Sequence, residues 1–478
     1  MLKFGTDGVR GVANAELTPE LAVALGRAAA RVLPGERFAI GRDTRRSGPM
    51  LEAALCAGLA SEGVDVVLLG VAPTPEVAWW AATQNAPAAV VSASHNPFAD
   101  NGIKLFTAGG RKLPDDVEER LELELQRQLG AVVSSSEAAG SGRPAGSGGS
   151  PGLPGPAWLP GAPGAPGPAG SQPVGADVGA VRSLDAHAGY GAAVAASLGG
   201  RRLDGLRAVV DCANGAASDV APRVLAGLGV DVEVIHAEPD GTNINAGCGS
   251  THPGELAGEV VARGADAGVA FDGDADRVLL VDAAGALVDG DHIIAICAID
   301  RHDRGVLQGD SVVVTVMTNL GFRLAMEKRG IHVVETAVGD RYVLEALEGR
   351  RLALGGEQSG HVIFRDLATT GDGLLTAVQA LDVMVRSGRP LAALAAEAMT
   401  QLPQVLRNVR VARRDPAILD RLAGPIAAVE SRLGDHGRVL VRASGTEPLI
   451  RVMVEAPTAV EAETAVGELV AAVEALAG

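Results

Sequence analysis

The sequence is poor in features that would commit it to several classes of protein. Its four cysteines (Cys56, Cys212, Cys248, Cys297) are widely spaced and form no CxxC pair. That excludes a disulfide framework and a cysteine-rich zinc site, and it fits a reducing compartment. Aromatic residues make up only 3% of the chain, too few for an aromatic-rich recognition surface. Positive charge is in deficit, with 41 Lys and Arg against 58 Asp and Glu and a net charge of -17. Neither nucleic acid nor an anionic membrane is therefore an expected partner, and an anionic ligand would need a local cationic island. The opening stretch MLKFGTDGVRGVAN is broken by Lys3, Asp7 and Arg10 and does not read as a signal peptide. The longest uncharged run, from Pro144 to Asp177, is full of proline and glycine and cannot make a membrane helix. The reading is a cytoplasmic protein.

What is abundant is alanine, glycine and valine in short apolar runs. The 478 residues suggest roughly three domains by length alone. Thr18-Pro19 opens an amphipathic run to Leu33 as N-cap and first helical residue. RFAIG, DVVLLG and AAVVSA then read as strands separated by helical patterns, the signature of βαβ units and a largely parallel sheet. The pattern returns at RAVVDC, VDVEVIH and AGVAFDGDADRVLLVD, and again at HIIAICAID, SVVVTVMTN, GIHVVETAV and LALGGEQSG. NVRVARR, GRVLVRASGTEPLIRVMVEA and a closing helix differ, and read as a small α+β module with an antiparallel sheet. The expected division is 1–133, 177–286 and 287–387 as three similar mixed α/β domains, and 388–478 as a smaller C-terminal α+β domain. Between the first two lies a Pro/Gly/Ser-rich insertion, 134–176. Glycine falls on every third position from Gly146 to Gly170 except at Trp158, but the tract is too short for a triple helix and reads as disordered.

Four motifs carry chemistry. In SASHNPFADNGIK, Ser94 follows a strand at the sheet end where ligands gather, and Asn96-Pro97 favours a turn that would hold it exposed. A solvent-facing loop serine is the alternative, but Lys104 is close enough to fold back on it. No G-x-S-x-G elbow surrounds Ser94, so a hydrolase triad fits poorly. In FDGDADR, Asp272, Asp274 and Asp276 alternate, so an extended backbone puts three carboxylates on one side. Oxygen-only ligands point to Mg²⁺, or Mn²⁺, rather than zinc. Arg277 and Ala283 stand where a calcium loop needs Gly and Glu. In GGEQSGH, Glu357 and Ser359 share one face of an extended loop, a carboxylate and a hydroxyl suited to vicinal sugar hydroxyls. In VRASGTEPLIRVM, Arg442, Ser444, Gly445 and Thr446 with Arg451 describe a phosphate nest, or else a plain hairpin.

Taken together with KFGTDGVRG, GRDTRRSG, PTPEVAW, PDGTNINAGCGSTHP and VGDRYV, these motifs closely resemble the α-D-phosphohexomutase superfamily over nearly everything outside the insertion. The resemblance implies four domains around a central cleft, each contributing one loop. It implies that Ser94 is a phosphoserine, that Ser94 and the three aspartates hold one Mg²⁺, and that Glu357 and Ser359 read the sugar. The loop from Arg442 to Thr446 would hold the phosphate that is not reacting. Lys104 is the expected general base, with His95 as helper and Arg10 and Arg277 stabilising charge. His361 would touch substrate or merely pack in its loop. A hexose bisphosphate activator and an activating kinase are the partners this implies. Relatives acting on glucose or mannose phosphates carry Met at the position of Gln358 and a second Gly at that of Ala275. Both departures point to interconversion of glucosamine 6-phosphate and 1-phosphate, feeding UDP-N-acetylglucosamine and cell-wall precursors, with Gln358 beside the 2-amino group. Glucose or mannose phosphate mutase activity, or a non-catalytic phosphosugar sensor, are the competing readings.

Overall fold

The computed structural model describes residues 8–140, 173–411, 417–443 and 448–477. Most of the Pro/Gly/Ser-rich tract, residues 141–172, lies outside the described residues, as do Ser444, Gly445 and Thr446. Helix Asp115–Gly140 runs into the beginning of that tract.

Four sheets organise the described chain. The first has six strands in the order Val9–Val12, Asp100–Phe106, Ala88–Val91, Arg37–Arg42, Asp65–Val71, Val181–Ser183. Its inner pairs are parallel, while Asp100–Phe106 runs antiparallel to both of its neighbours. The second sheet is five-stranded and the third four-stranded, each with parallel pairs and an antiparallel edge. The fourth is a three-stranded antiparallel sheet of Gln404–Arg410, Leu449–Glu455 and Arg438–Ala443. Three mixed α/β domains and a smaller α+β domain are the architecture. No helix among the described residues is long and apolar enough to cross a membrane.

Local chemistry explains the elements. Thr18 caps helix Pro19–Val32, its hydroxyl accepting from the Leu21 amide at 3.3 Å. That helix packs on Gly48–Ala60 so closely that a Cβ on Gly26 would come within 2.4 Å of the Leu55 carbonyl oxygen, and one on Gly58 within 2.3 Å of that of Val23. All four cysteines are free and buried. One expected strand is corrected: HIIAICAID lies within helix Gly290–Asp303, capped by Asp289, whose side chain accepts from the His292 amide. Every residue from Ile293 to Ala298 is buried, so this stretch shows no polar face and the helical period is hidden.

The four motifs occupy equivalent places. Strand Ala88–Val91 leads through the serine loop into antiparallel Asp100–Phe106, and Ala267–Phe271 leads through the aspartate loop into antiparallel Val278–Asp282. Leu354–Gly356 leads through Glu357 and Ser359 into antiparallel Val362–Phe364. In the fourth sheet Arg438–Ala443 and Leu449–Glu455 flank the remaining loop.

Candidate active site

Ser94 stands in the left-handed region at φ +53°, an uncommon state for a residue with a Cβ. It is 1% exposed, so the expectation of an exposed serine is corrected. The aspartate loop of the second domain covers it. Its hydroxyl donates to Asp272 Oδ2 at 2.6 Å and lies 3.3 Å from His95 Nδ1. Burial, with Arg277 and Arg10 nearby, lowers the His95 pKa to about 4, so its ring is neutral near pH 7.

Asp272, Asp274 and Asp276 are all buried, and one ligand oxygen from each lies within 4.8 Å of the others. Lys104 reaches in from the first domain and donates to Asp274 Oδ2 at 2.8 Å and Asp276 Oδ2 at 3.2 Å. Thr74 Oγ1 donates to the same Asp274 oxygen at 2.6 Å. Burial and its two carboxylate neighbours push the Asp272 pKa well up. Burial also acts to raise Asp274, but Lys104 and Thr74 outweigh it and hold that carboxyl below its ordinary value. Asp274 Oδ1 and Asp276 Oδ1 are buried without a hydrogen-bond partner. Buried carboxylate oxygens without hydrogen bonds, on converging side chains, are what a hard divalent cation satisfies, so the residues fit a metal. Asp211, His236 and Cys248 also converge. There both Asp211 oxygens already accept backbone amides, from Ala213 and Gly249, and burial pushes the Cys248 thiol up to about 12. That group reads as structural.

Arg277 is mostly buried. Burial acts to lower its pKa, but Asp276, Asp272 and Glu357 outweigh it and leave the guanidinium more firmly charged. Glu357, of the third domain, thus lies within electrostatic reach of the aspartate loop. It is half-buried, and its Oε1 accepts from the Gly339 amide at 3.1 Å, while Ser359 is exposed. His361 is 2% exposed, with Nε2 3.3 Å from Asp340 Oδ2. Gly371 packs against its ring so tightly that a Cβ there would meet it at 2.3 Å. Both ring nitrogens of His361 are buried without a hydrogen-bond partner. Gln358 turns from its expected place: its amide donates to Asp289 Oδ2 at 3.4 Å, an oxygen that also accepts from Gln401 at 3.2 Å. In the fourth sheet Arg442 lies directly opposite Arg451. Burial and Arg451 lower the Arg442 pKa, and Arg451 Nε is buried without a hydrogen-bond partner. Two like charges face to face favour an anion between or beside them.

Residues that sequence reading did not single out complete the surroundings: Asp43, Arg45, Thr74 and Asn245. Asp43 and Arg45 follow strand Arg37–Arg42, the parallel neighbour of Ala88–Val91, so their side chains emerge beside the serine loop. Only the strand order reveals this.

A site assembled from loops of four successive sheets has counterparts. The chain matches the phosphoglucomutase/phosphomannomutase alpha/beta/alpha domains I, II and III over residues 1–129, 188–285 and 289–402, and the C-terminal domain over 406–472. It belongs to that family. Among similar proteins, the phosphoglucosamine mutase of Moorella thermoacetica is 50% identical over 466 residues, covering 96% of each chain. That of Frankia alni is 50% identical over 490 residues, covering 99% of this chain and 98% of the other. Of solved structures, a family member from Burkholderia thailandensis aligns with TM-score 0.75 at 24% identity over 99% of this chain and 98% of that one. The Aspergillus fumigatus N-acetylphosphoglucosamine mutase, in complex with GlcNAc-6P and magnesium, aligns with TM-score 0.64 at 18% identity over 100% and 96%. These two likenesses speak to the fold.

Proposed function

We propose that this protein interconverts glucosamine 6-phosphate and glucosamine 1-phosphate through a phosphoserine at Ser94. The observation that carries the reading is the Ser94 hydroxyl 2.6 Å from Asp272, inside a buried cluster of three carboxylates and Lys104. Phosphoserine donates its phosphoryl group to the 1-hydroxyl of glucosamine 6-phosphate, giving the 1,6-bisphosphate and free serine. The bisphosphate turns over and returns its 6-phosphoryl group to Ser94, releasing glucosamine 1-phosphate. Asp272, Asp274 and Asp276 with the serine phosphate would hold Mg²⁺, which when bound supplies neutralisation of charge on the transferring group. Lys104, held on Asp274 and Asp276 beside Ser94, would act as the general base that takes the proton of the attacking hydroxyl. The neutral His95 ring assists at Ser94 Oγ, and Arg10 and Arg277 stabilise the phosphoryl oxygens. Glu357 and Ser359 hold the sugar, while Arg442, Arg451 and the loop of Ser444, Gly445 and Thr446 hold the idle phosphate. Glucosamine 1,6-bisphosphate would serve as activator.

Activity on glucose phosphates is the second reading, favoured by Gln358 bonding to Asp289. One experiment separates these. Intact mass before and after glucosamine 1,6-bisphosphate, with coupled assays on glucosamine, glucose and mannose phosphates, should show one added phosphate, lost in Ser94→Ala, and the highest kcat/KM on glucosamine phosphate. A parent enzyme that never takes up phosphate would remove the serine mechanism.

A further inference from the structure

The main chain of the serine loop is held from two domains. Arg45 is fully buried, and all five of its side-chain N–H groups are engaged. Nε donates to Asp43 Oδ2 at 2.8 Å, and Nη1 donates to the carbonyls of Pro97 and, at 3.0 Å, Asp100. Nη2 donates to those of Ser94 and Asn96, each at 2.9 Å. From the second domain, Asn245 Nδ2 donates to the same two carbonyls, at 2.9 Å to Ser94 and 3.2 Å to Asn96. Asn245 is itself left-handed, φ +56°, with its amide on the Ala213 carbonyl at 2.9 Å. Gly273 closes the space behind this junction: a Cβ there would sit 2.6 Å from the Ser94 carbonyl oxygen and 2.8 Å from Asn245 Nδ2. On the other side, Ser92 Oγ accepts the Ser94 amide at 2.9 Å and donates to Asp43 Oδ2 at 2.7 Å.

Both backbone groups of Ser94 are therefore tied down, and only its hydroxyl faces the aspartates. A left-handed serine is costly without such support, and a planar guanidinium with five fixed donors is suited to gather several carbonyls at once. We infer that Arg45 and Asn245 are positioning residues for phosphoryl transfer, a two-domain clamp on the Ser94 and Asn96 carbonyls that makes the aim of the serine depend on closure of the first domain on the second. The inference rests on the phosphoserine reading above.

Asn245→Ala removes the donors of the second domain while leaving the buried Asp43–Arg45 pair intact. Its kcat should fall about 10- to 100-fold with KM for glucosamine 6-phosphate within about twofold of the parent, the split expected when only the aim of a reacting group suffers. Uptake of phosphate onto Ser94 from glucosamine 1,6-bisphosphate, followed by intact mass, should slow by a similar factor. Asn245→Asp, which sets an acceptor against the same carbonyls, should lose more. Arg45→Lys keeps the charge beside Asp43 but brings only three donors, and should fall below Asn245→Ala. If the parent takes up phosphate and both Asn245 variants turn over within about twofold of it, the clamp is refuted while the phosphoserine stands. Losses that merely follow the folded fraction, with kcat per folded molecule unchanged, also refute it. A parent without phosphate uptake refutes the underlying reading instead.

Discussion

Lys104 Nζ lies 2.8 Å from Asp274 Oδ2 and 3.2 Å from Asp276 Oδ2, all three side chains being buried. One ammonium from the first domain thus neutralises part of a carboxylate cluster built by the second. Lys104→Met should leave those carboxylates uncompensated and, without metal, destabilise the protein by roughly 3–5 kcal/mol. Mg²⁺ should restore part of the loss, and kcat should fall about 10²- to 10⁴-fold. Melting curves with and without Mg²⁺ check this. Equal melting temperatures for variant and parent in chelator would mean that the lysine contributes nothing to neutralising the cluster.

Ser94→Ala should abolish turnover. Because the hydroxyl is buried and donates to Asp272 at 2.6 Å, the variant should also lose about 1–3 kcal/mol of stability, the range for leaving a buried polar group without its partner. Activity above a few per cent of the parent would exclude the serine from the reaction.

Asp274→Asn deletes one anionic oxygen from the cluster and should raise the Mg²⁺ concentration needed for half-maximal activity at least tenfold. The titration is direct, and an unchanged curve would move the metal elsewhere.

Gln358 bonds to Asp289 together with Gln401. Gln358→Met should therefore leave the ratio of kcat/KM for glucosamine and glucose phosphates within about threefold, with a melting temperature lower by about 1–3 °C. A collapse of that ratio would show that the amide swings to the sugar during turnover.

His187 Nδ1 lies 2.7 Å from Glu76 Oε2, and that bond raises the histidine's pKa against a smaller opposing effect of burial. The folded state then binds a proton more tightly than the unfolded one. This contribution is complete below about pH 6.5 and fades as pH rises through the higher folded value. His187→Gln should flatten the fall of melting temperature between about pH 6 and pH 9 by roughly 1–2 °C. Parallel curves for variant and parent would show that the pair carries no proton-linked stability.

The convergence of the three aspartates was legible because they stand close together in sequence, although they sit on a turn with Ala275 left-handed at φ +56° and not on an extended run. The αβ alternation was legible for the same reason, since strand and helix periods are local. What failed depended on distant packing. Helix Gly290–Asp303 is buried all round from Ile293 to Ala298 and has no visible period there. Ser94 is hidden by a loop far along the chain. Arg45 and Asn245 meet at the carbonyls of Ser94 and Asn96 although 200 positions separate them, and no local pattern encodes that meeting. Gln358 looked like a sugar ligand by its neighbours in sequence, while its partners Asp289 and Gln401 come from either side of the third domain.

Gly273 has a consequence for how the protein fails. It admits no side chain between the aspartate loop and the Ser94 carbonyl, so the two loops meet flush, with no cushion to take up a small gap. Any parting of the first two domains separates Asp272 from Ser94 Oγ and Asn245 from the serine backbone in the same movement. On the phosphoserine reading proposed above, an opened molecule would therefore carry its phosphate away from the aspartates, and the fit itself would be the guard against wasteful hydrolysis.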